Sequence, residues 1–224
     1  MTHRECSLWC WLAMLLVALT VLPSGCSQDC SRPDGYELPP RYLPATSTAH
    51  LLENFLLAYQ RRDAEGIDSL LSADFLFHFC EEDQSRPEIP ESWNRGSEIE
   101  AHQGIFDEEY VQTIALAFAY GTPYVDTLLT TAQDTVWAVE VTNFDFELFG
   151  TPRSHPGEAP QLYKVDSGQA EFCFHPTGAY DPSSGEPIWK IVAIRETTSN
   201  APLAGKRPHP AESCTWGAVK SVFR

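Results

Sequence analysis

Basic residues are scarce in this chain: 15 Lys and Arg stand against 31 Asp and Glu, a formal charge of −16 over 224 residues. A polyanion of this kind is repelled by phosphate backbones, which argues against nucleic acid as a partner and gives the acidity a solubilising role. C-x-x-C and H-E-x-x-H spacings are absent, as are a nucleophile elbow, a phosphate-binding glycine loop and a calcium-loop pattern. With them go the usual zinc, hydrolase-triad and nucleotide chemistries, and no metal or cofactor is expected. The acid runs Glu81-Glu82-Asp83 and Asp107-Glu108-Glu109 read as solvated turns. No repeat or long low-complexity segment is present. What the chain does have is apolar material: 43% hydrophobic and 12% aromatic residues are ample for one packed domain.

The longest apolar run, Leu8 to Leu22, follows His3 and Arg4 and ends at Pro23-Ser24-Gly25-Cys26. Its roughly 15 residues suit a signal-peptide core and fall short of the about 20 that span a bilayer. Leu22-Pro23-Ser24-Gly25-Cys26 resembles the lipobox of bacterial lipoproteins, although that pattern usually carries Leu where Pro23 stands. The resemblance implies a signal peptide over 1–25, a lipid-modified Cys26, and a cell-envelope location. Ser27, in place of an Asp, points to the outer membrane. Residues 26–46, with Pro33, Pro39, Pro40 and Pro44, then read as an extended tether. Membrane contact is expected through the lipid alone.

Of seven cysteines, Cys6 and Cys10 leave with the signal and Cys26 carries lipid, leaving Cys30, Cys80, Cys173 and Cys214. Four thiols in an oxidising compartment allow two disulfides in three connectivities. Cys80 and Cys173 both sit in strand-like runs, and Cys30 and Cys214 in the flanking segments. The expected pairs are therefore Cys80–Cys173 and Cys30–Cys214.

Ser47 is placed to cap a helix to about Arg62, with Leu51, Leu52, Phe55, Leu56 and Tyr59 three and four apart. Asp63 opens a short second helix with Ile67, Leu70 and Leu71 on its apolar face. Phe75, Phe77 and Phe79 alternate with Leu76, His78 and Cys80, as in a strand. After a loop with Pro87 and Pro90, Ser97-Glu98-Ile99-Glu100 reads as the capping box of a third helix ending near Phe106. Strands follow: Ile114–Tyr120, Asp134–Phe149, Leu162–His175 with a bend at Ser167-Gly168, and Ile188–Arg195. Helices first and long strands afterwards make an α+β domain over 47–198, with a tail over 199–224.

The stretch Leu51-Leu52-Glu53-Asn54-Phe55-Leu56-Leu57-Ala58-Tyr59-Gln60-Arg61-Arg62-Asp63, followed by Ile67 to Phe75, resembles the opening of the nuclear transport factor 2-like superfamily. That group includes SnoaL-like polyketide cyclases and ketosteroid isomerase, and Glu186–Val192 resembles its final strand. The resemblance implies a cone-shaped, strongly curved antiparallel sheet packed against about three N-terminal helices, a cystatin-like arrangement. It makes Phe55, Phe75, Phe77, Phe79, Trp93 and Trp137 candidates to line the cone. It also places Phe79 where ketosteroid isomerase has its general base and Phe55 where it has its oxyanion-donating tyrosine. Phenylalanine can perform neither task.

Glu140, Asp126 and His78, in or near strands, remain the candidate acid–base groups. The functional expectation is a non-enzymatic module for a small apolar ligand or a protein partner, able to form a homodimer through the sheet face. The alternatives are an acid–base enzyme acting on a small hydrophobic substrate in the cone, and a structural cell-envelope protein.

Overall fold

Ser47 accepts a hydrogen bond from the His50 N–H at 3.1 Å and starts α1 (Thr48–Arg61), which buries Leu51, Leu52, Phe55, Ala58 and Tyr59. Arg62 turns left-handed at φ 53° to end it, and its guanidinium donates to the carbonyls of Val111 and Gln112. Asp63 caps α2 (Ala64–Leu70) through the Gly66 N–H at 2.9 Å. Both helices begin where the sequence places them. The computed structural model describes residues 42–84, 86–87, 89–153, 155–198 and 215–224. The expected signal segment, Cys26, Cys30 and Cys214 lie outside the described residues.

Residues 42–46, expected to be tether, are tied down. The Asn54 amide holds Leu43 N and O at 2.8 Å each, and the Trp189 N–H donates to Ala45 O at 2.7 Å.

One sheet follows, built from β1 (Leu71–His78), β2 (Ser92–Asn94), β3 (Val111–Tyr120), β4 (Tyr124–Val125), β5 (Trp137–Gly150), β6 (Gln161–Tyr180) and β7 (Pro187–Thr198). Its order is β2-β1-β7-β6-β5-β3, with β4 on β5. The sheet is not wholly antiparallel as expected, because β1 pairs with β7 in parallel. Hairpins fix the directions of β5, β6 and β7, and β1 joins the far edge of that set. The chain between β1 and β7 supplies the long crossover that a parallel pair requires.

The bend expected at Ser167-Gly168 is real. The β5–β6 register slips on both sides of the Phe144–Gly168 pair, beside Asn143 at φ 50°. Asn is one of the few residues that enter this region at low cost.

Two short helices depart from expectation. Asp83 is fully buried in α3 (Glu81–Gln84), so that acid run is not simply a solvated turn. The third principal helix, α4 (Arg95–Ile105), is capped by the Asn94 side chain, which accepts from Ser97 N at 3.1 Å. A Ser97–Glu100 capping box is therefore not used. The cap lies three residues earlier, and Glu98 is buried in the first turn.

The core lies between the helices and the inner face of the sheet, where Phe75 and Phe77 point while Leu76 faces out. Residues 215–224, expected as part of a tail, complete it. Trp216, Ala218, Val219 and Phe223 of α5 (Trp216–Phe223) are all buried there.

The Cys80–Cys173 disulfide is not formed, since Cys173 is a free thiol. β7 separates β6 from β1, so Cys173 stands two strand spacings, about 10 Å, from β1. That exceeds the roughly 7 Å reach of a disulfide.

Candidate functional site

The interior of the cone is occupied by α5. Thr215 caps this helix, accepting from Ala218 N at 2.9 Å and donating its hydroxyl to Asp83. The Gly217 N–H donates to Glu196 Oε1 at 2.9 Å. Two acids thus sit at the positive end of the helix, where the macrodipole favours them. Two glycines permit the close docking. A Cβ on Gly217 would lie 2.6 Å from the Phe79 ring, and one on Gly104 in α4 would fall on the Phe223 carbonyl oxygen.

Trp216 is the centrepiece. Its ring lies 4.8 Å from Phe144, 5.5 Å from Phe77 and 5.9 Å from Phe55, centroid to centroid. Its indole N–H donates to Tyr59 Oη at 3.2 Å, and Tyr59 is 2.9 Å from His102 Nε2. His102 Nδ1 is 2.8 Å from the Glu98 carbonyl, which requires the proton on Nδ1 and leaves Nε2 to accept from Tyr59. The imidazole is neutral, because burial pushes its pKa down to about 4. Burial and the nearby Glu98 raise Tyr59 well above its ordinary value, so the phenol keeps its proton.

One turn further along α5, Lys220 is fully buried. Its Nζ lies 2.9 Å from each Glu98 carboxylate oxygen, and Glu98 Oε2 also accepts from Trp93 Nε1 at 2.7 Å. The ammonium sits 3.3 Å from the Phe77 ring centroid, 3.8 Å from Trp216 and 5.4 Å from Trp93. Desolvation lowers the lysine pKa, and the Glu98 carboxylate acts against it.

The residues nominated from sequence divide cleanly. Phe55, Phe75, Phe77, Phe79 and Trp93 are buried in the core, while Trp137 is only half-buried at the start of β5. None of the acid–base candidates enters the cone. Glu140 is exposed on β5, and half-buried His78 pairs in register with Arg195 on the outer face. Asp126 is buried on that same outer face, bonded to Arg195 and 3.5 Å from the Cys173 thiol. Tyr59, Glu98, His102, Trp216 and Lys220 went unnominated. Tyr59 had a signal, since it lies one helical turn after Phe55 on the same face. The other four had none in sequence.

Two trios of described side chains have donor atoms close enough to hold a metal ion: Cys80, Asp83 and Glu196, and Asp126, Glu171 and Cys173. Thr215 and Gly217 already engage the carboxylates of the first, and the Arg195 guanidinium bridges Asp126 and Glu171 in the second. The second set is thus answered by protein groups, while in the first Glu196 Oε2 is buried without a hydrogen-bond partner.

The fold and site together define an α+β cone closed from within by its own last helix. No family model matches the sequence, and no curated protein matches it. Solved structures that it resembles include an NTF2-like (nuclear transport factor 2-like) protein from Cytophaga hutchinsonii, at 18% identity and TM-score 0.37, covering 67% of this chain and 93% of that one. A ketosteroid isomerase-like protein from Erwinia carotovora atroseptica matches at 14% identity and TM-score 0.41, covering 69% and 94%. A conserved protein from Planctomyces limnophilus matches at 14% identity and TM-score 0.42, covering 66% and 91%. The first two carry the names of the superfamily whose opening residues 51–75 resemble. At such identities and scores the likeness is to the course of the chain and carries no activity with it.

Proposed function

We propose that this chain is a non-enzymatic binding module whose cone is closed by α5 and opens to a small ligand when that helix withdraws. One observation carries the reading: Trp216, on a separate eight-residue helix, fills the centre of the cone. A helix this short is marginal on its own, so its stability comes from docking, and it can leave as a unit at less cost than global unfolding. We place the module in the bacterial cell envelope, probed by its ligand while lipid on Cys26 holds it to the outer membrane. The run Leu8–Leu22 and the lipobox-like Leu22–Cys26 support that address.

Hydrogen exchange read by mass spectrometry tests the gate. Amides of residues 216–223 should exchange at a lower opening free energy than those of β5–β7. Native mass spectrometry of the protein purified from membranes should also show a copurified small molecule. Equal protection of α5 and the central strands, with no adduct, would make this a closed structural domain.

A second reading is favoured by the Tyr59–His102 pair. A neutral imidazole accepting from a phenol inside an apolar cone is a proton-transfer arrangement. It predicts that His102→Ala and Tyr59→Phe abolish turnover of a substrate while leaving its binding intact.

A further inference from the structure

The polar contents of the cone do not balance without Lys220. Beside the Tyr59–His102 pair, the acidic group of this inner network is Glu98. It is fully buried, and Trp93 Nε1 supplies a hydrogen bond to only one of its oxygens. A carboxylate taken from water is costly unless a cation meets it, and Lys220 meets both oxygens at 2.9 Å. An apolar side chain of the same length would anchor a helix in such a core without that cost.

The surroundings are as selective as the charge. Phe77 and Trp93 present ring faces to the ammonium, at 3.3 and 5.4 Å, and both belong to the cone wall. Trp216 supplies the third face and belongs to α5. Aromatic faces converging beside a fixed carboxylate are the arrangement by which proteins hold alkylammonium groups. Were α5 to leave, Glu98, Phe77 and Trp93 would remain, with one negative charge unanswered.

We propose that this wall of Glu98, Phe77 and Trp93 is a binding site for the primary ammonium group of an alkylamine ligand, and that Lys220 fills it in the closed state as an intramolecular stand-in. The ligand class follows from the side chain that fits: a terminal ammonium on a slender apolar stem. The chain's charge of −16 draws such cations toward it. This inference rests on the gated cone proposed above and names what the open cone takes.

The test uses the full-length chain and n-propylammonium, the part of the lysine side chain that Lys220→Ala removes, with 1-propanol as the uncharged control. Propylammonium should raise the melting temperature of Lys220→Ala saturably, whereas 1-propanol should not. The Lys220→Ala/Glu98→Gln double variant should lose the response to the amine. In the unsubstituted protein the tethered lysine competes at an effective concentration of order millimolar, so butylammonium should bind more weakly than propylammonium binds the alanine variant. Its binding should speed hydrogen exchange of residues 216–223.

Equal effects of amine and alcohol on the alanine variant would overturn the proposal and leave the Lys220–Glu98 pair as a structural contact. Butylammonium that leaves exchange of α5 unchanged in the unsubstituted protein would overturn it too. Should the alanine variant fold under neither condition, this second titration decides alone. If amines fail while α5 still opens, the gated cone survives and only the ligand class falls. If α5 exchanges only with global unfolding, the gate itself is refuted.

Discussion

Single atoms decide how tightly the cone closes. The absent Cβ of Gly104 leaves the only room for the Phe223 carbonyl, so Gly104→Ala must push α5 off α4. The expected loss is about 1–3 kcal/mol, the usual cost of overpacking, read from denaturant midpoints followed by tryptophan fluorescence. An alanine variant as stable as the parent would show that α5 does not lie against α4.

Two buried titrating groups pull stability in opposite directions with pH. Burial, helped by the Asp83 carboxylate, pushes Glu196 from 4.5 up to about 7. Its folded form keeps a proton that the unfolded chain has lost, so its contribution to stability is full below pH 4.5 and is lost as pH rises through 7. His102, pushed down from 6.5 to about 4, contributes above pH 6.5 and loses that contribution as pH falls through 4. Glu196→Gln keeps an acceptor for the Gly217 N–H and removes only the first slope. Its stability gain over the parent should grow between pH 4.5 and 7 and then level off, in unfolding midpoints measured across buffers. A difference that is flat with pH would contradict the burial of that carboxyl.

Among the elements, α5 depends on its neighbours, as the still shorter α2 and α3 do. Eight residues cannot hold a helix in water, and Trp216 is the largest of the buried side chains that dock it. Trp216→Ala should cost about 3–5 kcal/mol, with the fastest-exchanging new amides in residues 216–223 rather than in β5–β7. Uniform loss of protection would mean that helix and sheet unfold together. For α4 the weak point is its start: Asn94→Ala removes the acceptor for Ser97 N and should cost about 1 kcal/mol by thermal denaturation.

The whole molecule presents its outer sheet face as a charged network around a buried thiol. Burial pushes Cys173 up to about 12, and its neighbours Asp126 and Arg195 belong to one ion-pair cluster. A thiol reagent at pH 8 should modify Cys173 only at the rate of unfolding, and rapid modification of the native protein would contradict its burial. The envelope address is tested on the cell. Radiolabelled fatty acid should enter the protein, and Cys26→Ser should abolish the label.

Local pattern alone carried much of this architecture. Ser47 and Asp63 cap helices because a short polar side chain before an apolar 3.6-residue period can do little else, and Phe75 and Phe77 face inward because strand residues alternate. The bend at Gly168 was equally legible, since a glycine inside a strand run marks a bulge. The site was not legible. Whether β1 runs parallel to β7, and whether Trp216 and Lys220 belong to a tail or to the core, depends on contacts spanning more than a hundred residues, and no window of sequence encodes such a distance. Glu98 shows the limit most clearly. The sequence suggested a cap at Ser97, whereas Asn94 caps the helix and Glu98 is buried in its first turn, and only the docking of α5 brings it the cation that makes its burial stable.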